Sequence, residues 1–413
     1  MRRWLALIPI VLIACRPGAK SDGPFAEKVA DDVPKIEKAL GVKFKTPPKL
    51  ELKTRDEVRG FLLQKLKEPV AAKEIADQEV TYKLLGMLPD TMHLSNFFVR
   101  VLTEQILGYY DPKTKVLYVV KGAPDDYVGV TIMHELVHAL QDQYVNIDSL
   151  ENISGDDDRA AAVQAVIEGQ ATYEQVFIMA GGNGNLAAQL PGGWESMRTT
   201  IRESQATQPI FSSAPMVIQE SLLFPYINGA DFVRRYKSQR PGKFPLYDLP
   251  VSTTQVMHDS AFFGATRNVP SLITLPSIPG TVAENNFGEF GTRLYIYQHT
   301  HDQDESIRAA DGWDGDRYAV VKSGSGNAMV WATVWKTPTD AAEFVSAMSE
   351  AEQHRLFAKP TITGDTRRWD GRARTVEMSV KEIGGRSVVL YVDVPPGGNT
   401  HIIDFSQVKV TAR

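Results

Sequence analysis

The string His134-Glu135-Leu136-Val137-His138 constrains this 413-residue chain more than any other segment. Two histidines four apart share a face, on neighbouring turns, only where the chain is helical. The flanks agree, since Val130, Met133, Val137 and Leu140 fall on apolar positions at helical spacing. Imidazoles paired in this way can converge on one cation, with bonds of about 2.0–2.1 Å if it is zinc. Glu135 then points to the edge of that face, where it reaches a water without ligating the ion. Chance matches are expected in about 1% of chains of this composition, so the string is read as a site rather than as two unrelated helix histidines.

A tetrahedral site with one open position needs a third protein ligand. The extended pattern with a third histidine is absent, because Gln141 and Tyr144 occupy the required places. Glu168 is the better candidate, in Val166-Ile167-Glu168-Gly169-Gln170-Ala171. It sits on the next predicted helix, which must return antiparallel. Its neighbours Ala161, Ala162, Ala165 and Ala171 are small and apolar, and a charge buried among them needs a partner. Glu151 and Asp156 are loop alternatives. The chemistry expected is hydrolysis through a metal-activated water with Glu135 as general base. A donor for the oxyanion is sought first in His258 and second in Tyr226, which is flanked by Pro225 and Gly229. The hairpin expected over 108–120 offers an edge strand for an extended substrate, with Gly108 allowing close approach.

These residues resemble the gluzincin metallopeptidases, whose familiar members are the thermolysin-like enzymes. The resemblance covers about residues 105–180 and is carried by His134-Glu135-x-x-His138 and Glu168. It is shared by uncharacterised bacterial lipoproteins with the same signature. It implies zinc on His134, His138 and Glu168, with Glu135 as base. The implied fold is α+β: a zincin-like core with a small sheet, active-site helices and a mainly helical second lobe. One departure stands out. Where thermolysin-like enzymes place an aspartate to orient a ligating histidine, four residues after the glutamate ligand, this chain has Thr172. Asp142, Glu174 or a backbone carbonyl is the expected substitute.

The ends of the chain read differently. Residues 1–14 form a short basic start and an apolar run, which suits a secretory leader and is too short to span a bilayer. Cys15, the one cysteine, follows Leu12-Ile13-Ala14 and looks like a bacterial lipobox. Lipid on Cys15 would anchor the protein in the bacterial cell envelope, the outer membrane being favoured, facing the periplasm or the exterior. Residues 15–48 read as a tether and N-terminal segment, and 49–304 as the zincin-like domain. Within the latter, a mostly helical stretch breaks at Pro225, and 241–284 reads as loop before a helix at 284–299. Residues 305–413 read as a separate α+β domain in the order β-β-α-β-β. Net charge is −5, which gives no electrostatic footprint for nucleic acid. The expected partner is a peptide or protein substrate. Two other readings stay open: a zinc hydrolase of a non-peptide amide, and a non-catalytic metal-binding lipoprotein.

Overall fold

The computed structural model describes residues 24–182, 199, 202–203, 206–324 and 326–413, so the leader and Cys15 lie outside the described residues. The architecture is mixed α+β. In chain order, helix α1 (Ala26–Leu40) precedes strand β1 (Lys49–Lys53). Helices α2 (Arg55–Lys65), α3 (Pro69–Leu84) and α4 (Leu94–Gln105) come next. The hairpin β2 (Gly108–Asp111) and β3 (Val116–Val120) leads into α5 (Asp125–Asp142), α6 (Ile147–Glu151) and α7 (Asp157–Met179).

The first sheet is three-stranded in the order β1-β3-β2, with β1 parallel and β2 antiparallel to the central β3. Strand β3 is buried throughout because both of its faces are covered. Leu117 and Val119 meet Ile132, Leu136 and Leu140 of α5, while Val120 meets Val58 and Leu62 of α2. Helix α1 lies within the 15–48 N-terminal segment. Its Val29 and Ile36 enter the same core as α5, and its buried Asp32 is paired with Lys28 and Lys35. Two apolar side chains two turns apart suffice to seat a helix.

Helices α8 (Pro209–Ser212) and α9 (Met216–Gln239) follow. The break expected at Pro225 does not occur; α9 runs through it. Proline removes one backbone hydrogen bond, and the packing of α9 along α7 outweighs that loss. The two helices run parallel and touch at glycines. A Cβ on Gly229 would lie 1.9 Å from the Ala165 carbonyl oxygen, and one on Gly169 would lie 2.1 Å from the Gly229 carbonyl carbon. Only hydrogen fits at either position.

The remainder comprises α10 (Thr253–Met257), α11 (Asp259–Phe263), β4 (Leu272–Thr274), β5 (Thr281–Asn285), α12 (Gly288–Thr300) and α13 (Gln303–Ala310). Then come β6 (Trp313–Ser323), β7 (Gly326–Trp335), α14 (Pro338–Leu356), β8 (Thr361–Thr363), β9 (Thr366–Asp370), β10 (Thr375–Ile383), β11 (Arg386–Val394) and β12 (Lys409–Thr411). Seven of these strands form one antiparallel sheet in the order β5-β6-β7-β11-β10-β9-β8. The sheet therefore begins at Thr281, ahead of residue 305. Strand β5 occupies the end of the stretch read as loop, and the following helix starts at Gly288 rather than at 284. The β-β-α-β-β order gains the small hairpin β8–β9 between α14 and β10. Both sheet faces are covered. Trp331, Trp335 and Tyr391 pack on α12 and α14, while Val330, Val392 and Val394 pack under Ile403 and Phe405.

The sheet is tied to the N-terminus of α7. Asn285 and Asn286 accept from the Asp157 and Asp158 backbone N–H groups at 2.9 and 3.0 Å. Asp316, which follows Gly315 at the bulged start of β6, accepts from Phe287 N, Gly288 N and the Trp331 indole. Among the described residues no helix is long and apolar enough to cross a membrane.

Candidate metal centre

Helices α5 and α7 pack antiparallel and place three side chains at one point. The His134 Nε2 atom lies 3.2 Å from His138 Nε2 and 3.2 Å from Glu168 Oε2, and His138 Nε2 lies 3.4 Å from the same oxygen. A tetrahedral ion with bonds of about 2.0–2.1 Å holds its ligand atoms about 3.3–3.4 Å apart, so the triangle has the size such an ion requires. The donor set, two imidazole nitrogens and one carboxylate oxygen, is also the kind zinc accepts. Among the described residues these three are the one such group of His, Cys, Asp or Glu ligand atoms. The loop alternatives Glu151 and Asp156 are not part of it. Each of the three side chains keeps 10–16% exposure, so the triangle is not sealed from solvent.

The electrostatics suit a cation. Burial acts to raise the Glu168 carboxyl, but the charge of His138 and hydrogen bonds from both histidines hold it well below the usual range. Burial acts to lower His138, and the Glu168 charge overrides this and lifts it to about 10. Burial pushes Glu135 up, against the pull of His138 and His134 and of the Tyr110 backbone N–H.

Two glutamines orient the rings. His138 Nδ1 donates to Gln141 Oε1 at 2.8 Å, and His134 Nδ1 donates to Gln175 Oε1 at 3.1 Å. The Gln141 amide nitrogen donates to Ile167 O at 3.0 Å and Gln170 Oε1 at 3.1 Å, so its oxygen must face His138. The substitutes expected for the missing aspartate are engaged elsewhere. Asp142 accepts from the Tyr110 hydroxyl and pairs with Lys115, and Glu174 pairs with Lys237. Neither glutamine was singled out from sequence. The available signal is spacing alone: Gln141 stands one turn past His138, and Gln175 two turns past Glu168.

Tyr226 joins the centre. Its ring centroid lies 6.1 Å from that of His134, and its hydroxyl feels the charge of the Glu168 carboxylate. The Glu168 charge, with burial and the charge of Glu135, pushes the phenol well above its ordinary value, so it remains a proton donor. The glycine contact between α7 and α9 explains the placement, because Gly169 adjoins Glu168 and Gly229 lies one turn beyond Tyr226. His258 is not brought to the centre. It pairs with buried Glu289 at 2.7 Å, with Arg293 at 3.3 Å, and does not line the cleft. A buried acid 31 residues downstream attracts it more than any open site would.

A cleft of about 350 Å³ opens beside His134, Glu135 and Tyr226. Its walls are largely apolar, with Ile106, Val130, Phe211 and Leu223 prominent. Gly108, at the start of β2, lies on its border. The close approach at this glycine is made by α5, since a Cβ would sit 2.6 Å from Thr131 Cγ2. The outer edge of β2 pairs with no strand among the described residues.

Residues 274–397 match a domain of unknown function (DUF8575). The match covers all seven strands of the large sheet and none of the residues of the metal centre. Comparison with curated proteins finds no match, and comparison with solved structures finds none.

Proposed function

We propose that this chain is a zinc-dependent metallopeptidase with a zincin-like core, tethered to the bacterial cell envelope by lipid on Cys15. The observation that carries the reading is the triangle of His134, His138 and Glu168, with the buried Glu135 carboxyl beside it and a cleft bordered by His134 and Glu135. A purely structural ion would have no use for either the base or the cleft.

Zinc, when bound by His134, His138 and Glu168, supplies Lewis acidity toward a carbonyl and a water. The chain supplies the rest. Glu135 takes a proton at its carboxylate from the attacking water and delivers it to the leaving nitrogen. A raised affinity for protons, which burial provides, favours that relay. Tyr226 donates its hydroxyl hydrogen to the oxygen on which negative charge develops. Gln141 and Gln175 keep the imidazoles turned so that each Nε2 faces inward. The apolar cleft walls exclude water from around a substrate side chain, and the free edge of β2 offers backbone groups to a substrate segment.

The test measures zinc content and hydrolysis of an unfolded protein, for the full chain and for Glu135→Gln. Wild type is expected to cleave. Glu135→Gln is expected to hold the same zinc and to lose about 10²–10⁴-fold in rate. Zinc-loaded wild type as inert as the variant would overturn the reading in favour of a non-catalytic binding protein.

A further inference from the structure

We infer that Gln141 and Gln175 are the positioning residues of the metal centre, and that its outer shell is built from amides, with no carboxylate on the Nδ1 of either imidazole among the described residues. The inference rests on the metallopeptidase reading only as far as the identity of the ligands.

Each ligating histidine needs its second ring nitrogen fixed, or the ring can rotate and offer the wrong tautomer. Carboxylates commonly do this work. Here the two acids expected from sequence are committed elsewhere, Asp142 to Lys115 and Tyr110, Glu174 to Lys237. The residue four positions beyond Glu168 is Thr172, whose hydroxyl is buried and has no hydrogen-bond partner. The two contacts to Nδ1 atoms are both glutamine oxygens.

The two glutamines differ in how they are held. Gln141 is fully buried and belongs to a closed network. Its oxygen takes the His138 proton, and its nitrogen is spent on Ile167 O and Gln170 Oε1. Ile167 immediately precedes Glu168. The orientation of one ligand on α5 is thereby coupled to the backbone that carries the ligand on α7. Gln175 is partly exposed at the rim of the cleft and holds His134 through a single bond. An amide orients an imidazole without adding negative charge. The centre therefore has fewer anionic groups around the ion than one with a carboxylate at this position, and an added carboxylate should tighten the grip on a cation.

The experiment titrates the full chain with zinc against a competing chelator and follows thermal melting of the metal-free protein. Gln175→Ala is expected to weaken zinc binding about 10–100-fold with the metal-free melting temperature unchanged. Gln175→Glu is expected to restore at least wild-type affinity, an outcome that a merely structural role for Gln175 would not give. Gln141→Ala should weaken binding by a similar factor, but its burial puts folding at risk, so Gln175 carries the test alone if that variant does not fold. Wild-type affinity in Gln175→Ala, or no recovery in Gln175→Glu, overturns the inference while leaving the metallopeptidase reading intact. A wild-type chain that takes up no zinc overturns both.

Discussion

Tyr226 is placed to give a hydrogen bond. Its phenol lies among the charges of Glu168 and Glu135, which oppose its ionisation. Tyr226→Phe should therefore lower kcat by about 10²–10³ with little change in KM, as loss of one oxyanion donor does elsewhere; steady-state kinetics on a peptide decides it. Glu168→Ala should abolish stoichiometric zinc, read by metal analysis of the purified chain, because two neutral imidazoles are a poor site for a dication. At this scale the sequence is uneven as a guide. His134, Glu135 and His138 are legible because a single helical turn carries all three. Glu168 is legible because a lone acid among alanines has no reason to be there without a partner. Gln141 and Gln175 are not legible, since glutamine is an ordinary helix residue and its role appears only when a ring nitrogen faces it. His258 misleads for the opposite reason. Histidine draws the eye, while the Glu289 that engages it lies on another helix.

The elements that hold the site follow from local patterns, and their mutual placement does not. The apolar run Val116–Val120 and the polar turn before it give the β2–β3 hairpin, and the periodic stripe gives α5. The crossing of α7 and α9 rests on Gly169 and Gly229, whose importance emerges only when two helices distant in sequence are seen in contact. Gly229→Ala tests it. Its Cβ would collide with the Ala165 backbone, and overpacking of this kind costs about 1–3 kcal/mol or more. The expected result is a lower urea midpoint together with reduced activity of the protein that remains folded, because Tyr226 moves away from Glu168. Strand β5 was illegible because Thr281–Asn285 is a short edge strand with mixed burial beside a proline-rich stretch, and its identity comes from pairing with β6.

At the scale of the molecule, the large sheet and the helix that bears Glu168 form a joint structure. A chain ending at residue 304 keeps β5 but loses its partner β6 and the Asp316 acceptor for α12. It should lack a cooperative melt by circular dichroism. A pH effect belongs here too. His299, at the end of α12, donates to Leu85 O just beyond α3. Burial, then the charge of Arg355, pulls it down to about 4. As pH falls below about 6.5 the unfolded chain takes up that proton before the folded one does, so stability is lost between about 6.5 and 4. The urea midpoint of wild type should drop more between about pH 7 and about pH 5 than that of His299→Gln. The edge of β2, which pairs with no strand among the described residues, has a consequence for whatever enters the cleft. A polypeptide can lie along it only when extended, with its own amides unspent. Helices, turns and closed sheets have none to offer, so an intact globular protein would pass unharmed while the same chain, once denatured, would be cut.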